Sequence, residues 1–290
     1  MTIWNLGSVN ADMVYRLPHL PGPGETLAAT DHQRGLGGKG ANMSVAGVRA
    51  GARVHHIGAI GQDGLWMRDQ LAEYGVNVDH LKVIGDVSGH AIVALDTAGE
   101  NQIIIFPAAN ISIAPAGLET VLAKAASGDI AVFQNETNAQ AAFAAAARAR
   151  GMRVCYAAAP FSVTAVQDVL PMIDLLILNA VEAAQLEAAL GVDITALPVA
   201  DIVVTLGAQG CRWIRDGKAT DFAAPKVTPI DTTGAGDTFT GYLLAGLDQG
   251  LTMEHAIQQA QRAGAVMVTR LGTADVIPTT EEISNFFHES

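Results

Sequence analysis

The chain has 290 residues, 50% of them hydrophobic, and a formal net charge of −12 at pH 7. That length can bury a large core and suits one α/β domain with an appendage. The acidic balance, without a basic stripe, excludes a nucleic-acid surface. The apolar runs are too short and broken to span a membrane, and Met1-Thr2-Ile3-Trp4 lacks the basic start of a signal peptide.

Residues 3–9 read as a buried strand, with Asn10 and Asp12 beyond its end. A glycine cluster, Gly35-Leu36-Gly37-Gly38-Lys39-Gly40-Ala41-Asn42, precedes a helical pattern over 43–50. A strand over 54–60, a helix over 65–74 and a short strand over 76–78 follow. Strands 91–95 and 103–106 flank Asp96-Thr97-Ala98-Gly99-Glu100-Asn101, a hairpin with a glycine turn. The rhythm then runs strand 130–133, alanine-rich helix 139–150, strand 154–157, strand 175–178, helix 181–190 and strand 202–206. An apolar helix over 239–247 comes later. Such alternation predicts an α/β fold with a parallel sheet covered on both faces. The polar, hairpin-forming segments near 12–34 and 89–107 fall outside it, and residues 191–200 leave little room for a second helix. Cys155 and Cys211 lie on strands without metal spacing and are expected to be reduced core residues of a cytoplasmic protein.

Three segments carry chemistry. In Asp231-Thr232-Thr233-Gly234-Ala235-Gly236-Asp237-Thr238, small residues leave backbone N–H groups bare where a helix begins, so its dipole favours an anion. Asp237 there suits a base beside a phosphate, although an Asp capping an ordinary helix reads the same way. The run from Gly35 to Gly40 is a literal G-x-G-x-x-G. The preceding Asp31-His32-Gln33-Arg34 is too polar for a dinucleotide strand, and Lys39 is followed by Gly40, which excludes a Walker A loop. Asn10 and Asp12, two apart on an extended chain, share a face and can hold neighbouring hydroxyls of a polyol or sugar. Turn chemistry is the plainer reading of that pair alone.

With residues 37–42 and 231–237 in hand, the chain resembles the ribokinase-type, or PfkB, sugar kinase family over nearly its whole length. The resemblance implies a three-layer αβα sandwich with a mostly parallel central sheet and a small β-sheet lid. It makes residues 1–290 one kinase domain with lid segments about 12–34 and 89–107, pairing as a homodimer through the lid. It implies an ATP-dependent kinase acting on the terminal hydroxyl of a pentose, ribose first. 2-Deoxyribose, a ketohexose, a nucleoside or a non-catalytic sugar-binding relative stand as alternatives. Asp237 would be the general base, and Gly234, Ala235 and Gly236 the anion hole for the γ-phosphate. Asn10, Asp12, Gly38, Lys39, Asn42 and Glu136 would bind the sugar between apolar walls at Ala91 and Ile105, with Asn110 at the lid base.

The same resemblance assigns Asn179 and Glu182 to Mg²⁺ and its waters, where the Asn-x-x-Glu spacing alone would read as a capping box. Thr205, Gly207 and Gly210 would form the strand-end turn against ATP, with Gln261 near the adenine. Asp231, Thr233, Arg270 and Gly272 match positions that bind K⁺, largely through backbone carbonyls, although Val276 stands where an oxygen-bearing side chain is usual.

Overall fold

The structure, a computed structural model, describes residues 1–288. The last two residues of the expected span 1–290 lie outside the described residues. In chain order the elements are β1 (Ile3–Leu6), β2 (Asn10–Arg16), β3 (Asp31–Gly37), α1 (Lys39–Arg49), β4 (Val54–Ile60), α2 (Leu65–Glu73) and β5 (Asn77–Val83). Then come β6 (Gly89–Leu95), β7 (Asn101–Phe106), α3 (Leu118–Val121), β8 (Ile130–Phe133), α4 (Gln140–Ala149), β9 (Arg153–Ala157), α5 (Val163–Val169), β10 (Leu175–Asn179) and α6 (Ala180–Leu190). The chain finishes with β11 (Asp201–Thr205), β12 (Cys211–Arg215), β13 (Lys218–Phe222), α7 (Ala235–Asp248), α8 (Met253–Met267) and α9 (Thr280–His288).

Nine strands form the central sheet in the order β13-β12-β11-β10-β9-β8-β1-β4-β5. It is parallel from β11 to β5 and antiparallel only where β12 and β13 extend one edge. Strand alternation divides the core between its two faces. Leu175 and Ile177 of β10 pack with Val45, Tyr242 and Ile257 on one face, and Leu176 and Leu178 pack with Phe143, Val166 and Leu186 on the other. Each such fully buried side chain contributes about 1.5–3 kcal/mol relative to exposure.

A second, four-stranded sheet has the order β3-β2-β6-β7, with β2 and β6 parallel and the outer pairs antiparallel. It begins at Asn10 and takes in Gly37, so it is wider than the segments 12–34 and 89–107. The first strand ends at Leu6 and not at Val9, and Asn10 and Asp12 belong to the small sheet. The polar run 31–34 is extended after all; its four residues are exposed on an edge strand, where polarity is tolerated.

Some elements go beyond the sequence reading. β12 and β13 are joined by Asp216 and Gly217, with φ of 51° and 71°, the two-residue hairpin turn that Asp-Gly favours. The helices α5, α8 and α9 were also unread, and α8 starts at a Thr252 cap whose side chain accepts from the His255 N–H. Residues 191–200 hold only a short 3₁₀ turn at Ile194–Ala196.

Because β1, β8, β10 and β11 run parallel, their carboxyl ends open on one edge of the sheet, where an open α/β fold holds its ligand. The N-termini of α1 and α7 meet the same edge. These two helices pack closely: a Cβ on Gly241 would collide with the Ala46 side chain and the Met43 carbonyl.

Candidate active site

The N-terminus of α1 is filled by the protein itself. Gly38 takes φ 93°, a value that favours glycine, and supplies no side-chain cap. Glu136, just past β8, instead accepts from the Lys39 N–H (3.0 Å) and from Ser8 Oγ (2.5 Å). Ser8 accepts from the Gly40 N–H through Oγ (3.2 Å) and from the Ala41 N–H through its carbonyl (2.9 Å). Lys39 Nζ lies 3.5 Å from Glu136 Oε1. Burial pulls the Lys39 pKa down, but Asp237 and Glu136 lift it further, so its net shift is upward.

Around this platform stand the other sugar-side candidates. Asn10 Oδ1 accepts from Asn110 Nδ2 (2.7 Å), and Asn110 Oδ1 accepts from the Val9 N–H (2.9 Å). Asn110 therefore fixes the Asn10 amide. Asp12 folds over Gly37, where a Cβ would overlap its carboxylate. It pairs across the small sheet with Ala91, which in turn pairs with Ile105, so all three point to one face. Ala91 is buried and Ile105 is 52% exposed. Burial pushes the Asp12 pKa up to about 7, with Glu136 and Asp237 adding to the rise and Lys39 opposing it.

Asp237 stands in the first turn of α7 and accepts from Asn42 Nδ2 at 2.9 Å, which ties the candidate base to α1. Burial raises its pKa to about 6; Lys39 and Asn42 hold it from rising further. The N-terminus of α7 contrasts with that of α1. Gly234, with φ 72°, is its cap, and the N–H groups of Gly234, Gly236 and Asp237 have no acceptor among the described residues. Only Ala235 N–H is engaged, with the Thr232 carbonyl at 3.3 Å. The bare donors at the helix start are thus those of Gly234, Gly236 and Asp237, with Ala235 the least free of the expected set.

Beside them opens a cavity of about 380 Å³. Its wall includes the expected Thr205, Gly207 and Gly210, together with Ala235 and Gly236. It also includes Pro225, Val227, Pro229, Phe239, Gly264, Ala265 and Val268, which the sequence reading missed; Lys226 is its one charged lining residue among those described. Gln261 lines it too, but its amide nitrogen is committed to the Phe222 carbonyl at 2.9 Å. That amide is a wall support.

The pattern of the pfkB family carbohydrate kinases matches residues 3–280. The chain is 33% identical to a ribokinase of Haemophilus influenzae over 307 aligned residues, spanning 100% of this chain and 99% of that one. The chain belongs to the pfkB carbohydrate kinase family. Its fold is similar to that of ribokinase from Cryptococcus neoformans var. grubii in complex with ADP, at 30% identity and TM-score 0.85, over 98% of this chain and 99% of that one. It is also similar to Arabidopsis thaliana ribokinase complexed with ribose and ATP, at 27% identity and TM-score 0.87, over 100% and 99% of the two chains.

In this family member, Asn179 and Glu182 do form a capping box. Asn179 Oδ1 accepts from the Glu182 N–H (2.9 Å), and Glu182 Oε2 from the Asn179 N–H (2.7 Å). The box leaves Glu182 Oε1 uncommitted, and burial raises the Glu182 pKa against the pull of the Asn179 N–H and Lys39. In the segment expected to bind K⁺, Asp231 accepts from the Thr233 N–H (2.9 Å) and the Gly272 N–H (3.4 Å), which brings residues 231–233 against 270–272. The Arg270 guanidinium pairs with Glu282 (2.8 Å) and donates to the Val276 carbonyl (3.0 Å).

Proposed function

We propose that this kinase is a ribokinase, transferring the γ-phosphoryl group of ATP to the terminal hydroxyl of ribose to give ribose 5-phosphate and ADP. The observation that carries the reading is the start of α7. Its bare N–H groups border the 380 Å³ cavity, and its Asp237 carboxylate faces Asn42 and Lys39 on the other side. One helix turn thereby receives an anion from one side and a hydroxyl from the other.

In the reaction, Asn10, Asp12, Lys39 and Glu136 hold the sugar hydroxyls. Asp237 accepts the proton of the terminal hydroxyl as its oxygen bonds to the γ-phosphorus and the bond to the bridging oxygen of ADP breaks. The N–H groups at the α7 start neutralise charge on the transferring group. Ala91 and Ile105 form apolar walls on the Asp12 side. Glu182, whose Oε1 the capping box leaves free, would be the residue to hold Mg²⁺, which would supply further neutralisation of the phosphates. The backbone carbonyls of the 231–233 and 270–272 segments are the candidates for K⁺.

The edge strand β7 exposes Ile103 (55%), Ile104 (66%), Ile105 (52%) and Phe106 (51%). An exposed apolar edge of that kind supports a homodimer formed through the small sheet. Both cysteines are free and buried, in keeping with a cytoplasmic enzyme.

The test is a panel of ribose, 2-deoxyribose, fructose and nucleosides in a coupled ADP-release assay with Mg²⁺, with Na⁺ exchanged for K⁺ at constant ionic strength. Ribose should give the highest kcat/KM, and K⁺ should raise the rate. A higher value for fructose or a nucleoside would remove the ribose assignment and leave the kinase mechanism standing. No turnover of any sugar would return the chain to the non-catalytic alternative.

A further inference from the structure

Beneath the sugar-side platform lies a polar chain for which the reaction described above has no use. Asn5, Ser44, His56 and Gln134 all have zero exposure, yet they sit among β1, α1, β4 and β8 in the middle of the core. Gln134 Nε2 donates to Asn5 Oδ1 (2.8 Å), and Asn5 Nδ2 donates to Ser44 Oγ (2.9 Å) and to the Gly40 carbonyl (2.8 Å). Ser44 Oγ lies 2.9 Å from His56 Nδ1, and His56 Nε2 lies 3.1 Å from the Gly7 carbonyl.

The direction of every bond follows from its end. The Gly7 carbonyl only accepts, so Nε2 carries the proton and the neutral ring's Nδ1 accepts from the Ser44 hydroxyl. Burial pulls the His56 pKa down to about 4, so the ring stays neutral at working pH.

Both carbonyls that this chain grips belong to glycines in van der Waals contact with each other. A Cβ on Gly40 would overlap the Gly7 and Ser8 backbone, and one on Gly7 would overlap Gly40. Ser8, which follows Gly7, holds Glu136 and the α1 N–H groups; Lys39, which precedes Gly40, pairs with Glu136; and Asn42, on the same helix, holds Asp237. The Gly7–Gly40 contact is therefore the point from which the acceptor half of the site hangs. The nucleotide cavity borders none of the four polar residues.

We propose that His56 is a positioning residue for the phosphoryl acceptor, acting through Ser44 and Asn5 to fix the Gly7–Gly40 contact and hence the alignment of Lys39, Glu136 and the Asn42–Asp237 pair. The proposal rests on the sugar kinase reading of the site. Leaving a buried partner unsatisfied shifts the backbone it held, and the penalty falls on the substrate that the shifted groups orient.

The experiment is steady-state kinetics with sugar and ATP varied separately, on variants shown by circular dichroism to be folded at the assay temperature. His56→Leu should cut kcat/KM for the sugar by about 10²-fold while KM for ATP stays within about twofold. His56→Gln, which can still donate to the Gly7 carbonyl from its Nε2, should recover much of the loss. Ser44→Ala should show the same split in milder form and carries the test if the leucine variant does not fold. Unaltered sugar kinetics in folded Ser44→Ala, equal changes in both KM values, or a glutamine variant no better than leucine would overturn the proposal. If the wild type phosphorylates no sugar, the proposed function fails, and amide hydrogen exchange over residues 38–42 decides this proposal. Faster exchange there in Ser44→Ala supports it, and unchanged exchange overturns it.

Discussion

Two helices begin at the same edge of the sheet, and their first turns are used in opposite ways. At α1 the orphan N–H groups of Lys39, Gly40 and Ala41 are taken by Glu136 and Ser8. At α7 those of Gly234, Gly236 and Asp237 are left bare beside a cavity. Every helix start presents unsatisfied donors. A start that the protein fills with its own carboxylate is a scaffold, here for the side chains proposed to bind the sugar, whereas one left open can receive an incoming anion. Under the proposed function, the contrast separates a half that would read hydroxyls with charged side chains from a half that would hold a nucleotide by shape and backbone.

The contrast is broken most severely at the residue between the halves. Asp237→Asn keeps the shape of α7 and removes the base, so kcat should fall by about 10² to 10⁴ with both substrates still binding. Calorimetric titration beside the rate assay checks this, and turnover within about threefold of wild type would exclude Asp237 as the base. Filling the open start is next. A Cβ on Gly236 meets nothing within 4 Å, so Gly236→Val should fold normally and obstruct the bare donors, lowering kcat/KM for ATP by about 10²-fold.

On the sugar side, Asp12→Asn should weaken ribose by about 10-fold to 10²-fold, the range for a hydrogen bond to a charged group, and should narrow the preference for ribose over 2-deoxyribose. It should also change the pH profile. Carboxylates with pKa raised to about 7 at Asp12 and about 6 at Asp237 are protonated below those values and act only above them, so kcat/KM for the sugar should rise with pH through this window. Both carboxylates are raised into the same window, so the acid limb should report both. The wild-type acid limb should approach a slope of two, and Asp12→Asn should reduce it to one. A slope of one in both would remove Asp12 from the titration. The smallest effect belongs to the cavity wall. Gly264 faces open space, with only the Ala235 carbonyl near a would-be Cβ at 3.9 Å. Gly264→Leu should raise KM for ATP about tenfold and leave the sugar KM unchanged.

The two halves also differ in how far the sequence disclosed them. The sugar side could be proposed from the sequence because Asn10, Asp12, Lys39, Asn42 and Asp237 sit in short contiguous runs beside glycines, and the structure brings these side chains near one another. Of the wall of the cavity beside α7, the sequence offered Thr205, Gly207, Gly210, Ala235, Gly236 and Gln261. Its remaining wall comes from Pro225, Val227, Gly264 and Ala265, ordinary residues on a loop and on a helix that was not read, which the fold alone brings together. Gln261 was placed near the ligand without the sequence showing that its amide is spent on the Phe222 carbonyl. The sheet from 54 to 206 followed from apolar periodicity, while β12 and β13 were missed although Asp216-Gly217 marks their turn. Asn5 and His56 gave a signal that passed unused. Polar residues inside the apolar strands β1 and β4 require buried partners, and those partners, Ser44 on α1 and Gln134 just past β8, belong to other elements.

The most direct measurement of the central claim is the position of the phosphate on the product. ³¹P and ¹³C NMR of ribose incubated with ATP, Mg²⁺ and the wild-type enzyme should show ribose 5-phosphate and ADP in equal amounts, with the initial rate of product formation by Asp237→Asn lower by about 10² to 10⁴. Phosphate on another hydroxyl, or equal product from the Asp237→Asn enzyme, would contradict the placement of the acceptor hydroxyl between Asp237 and the open start of α7.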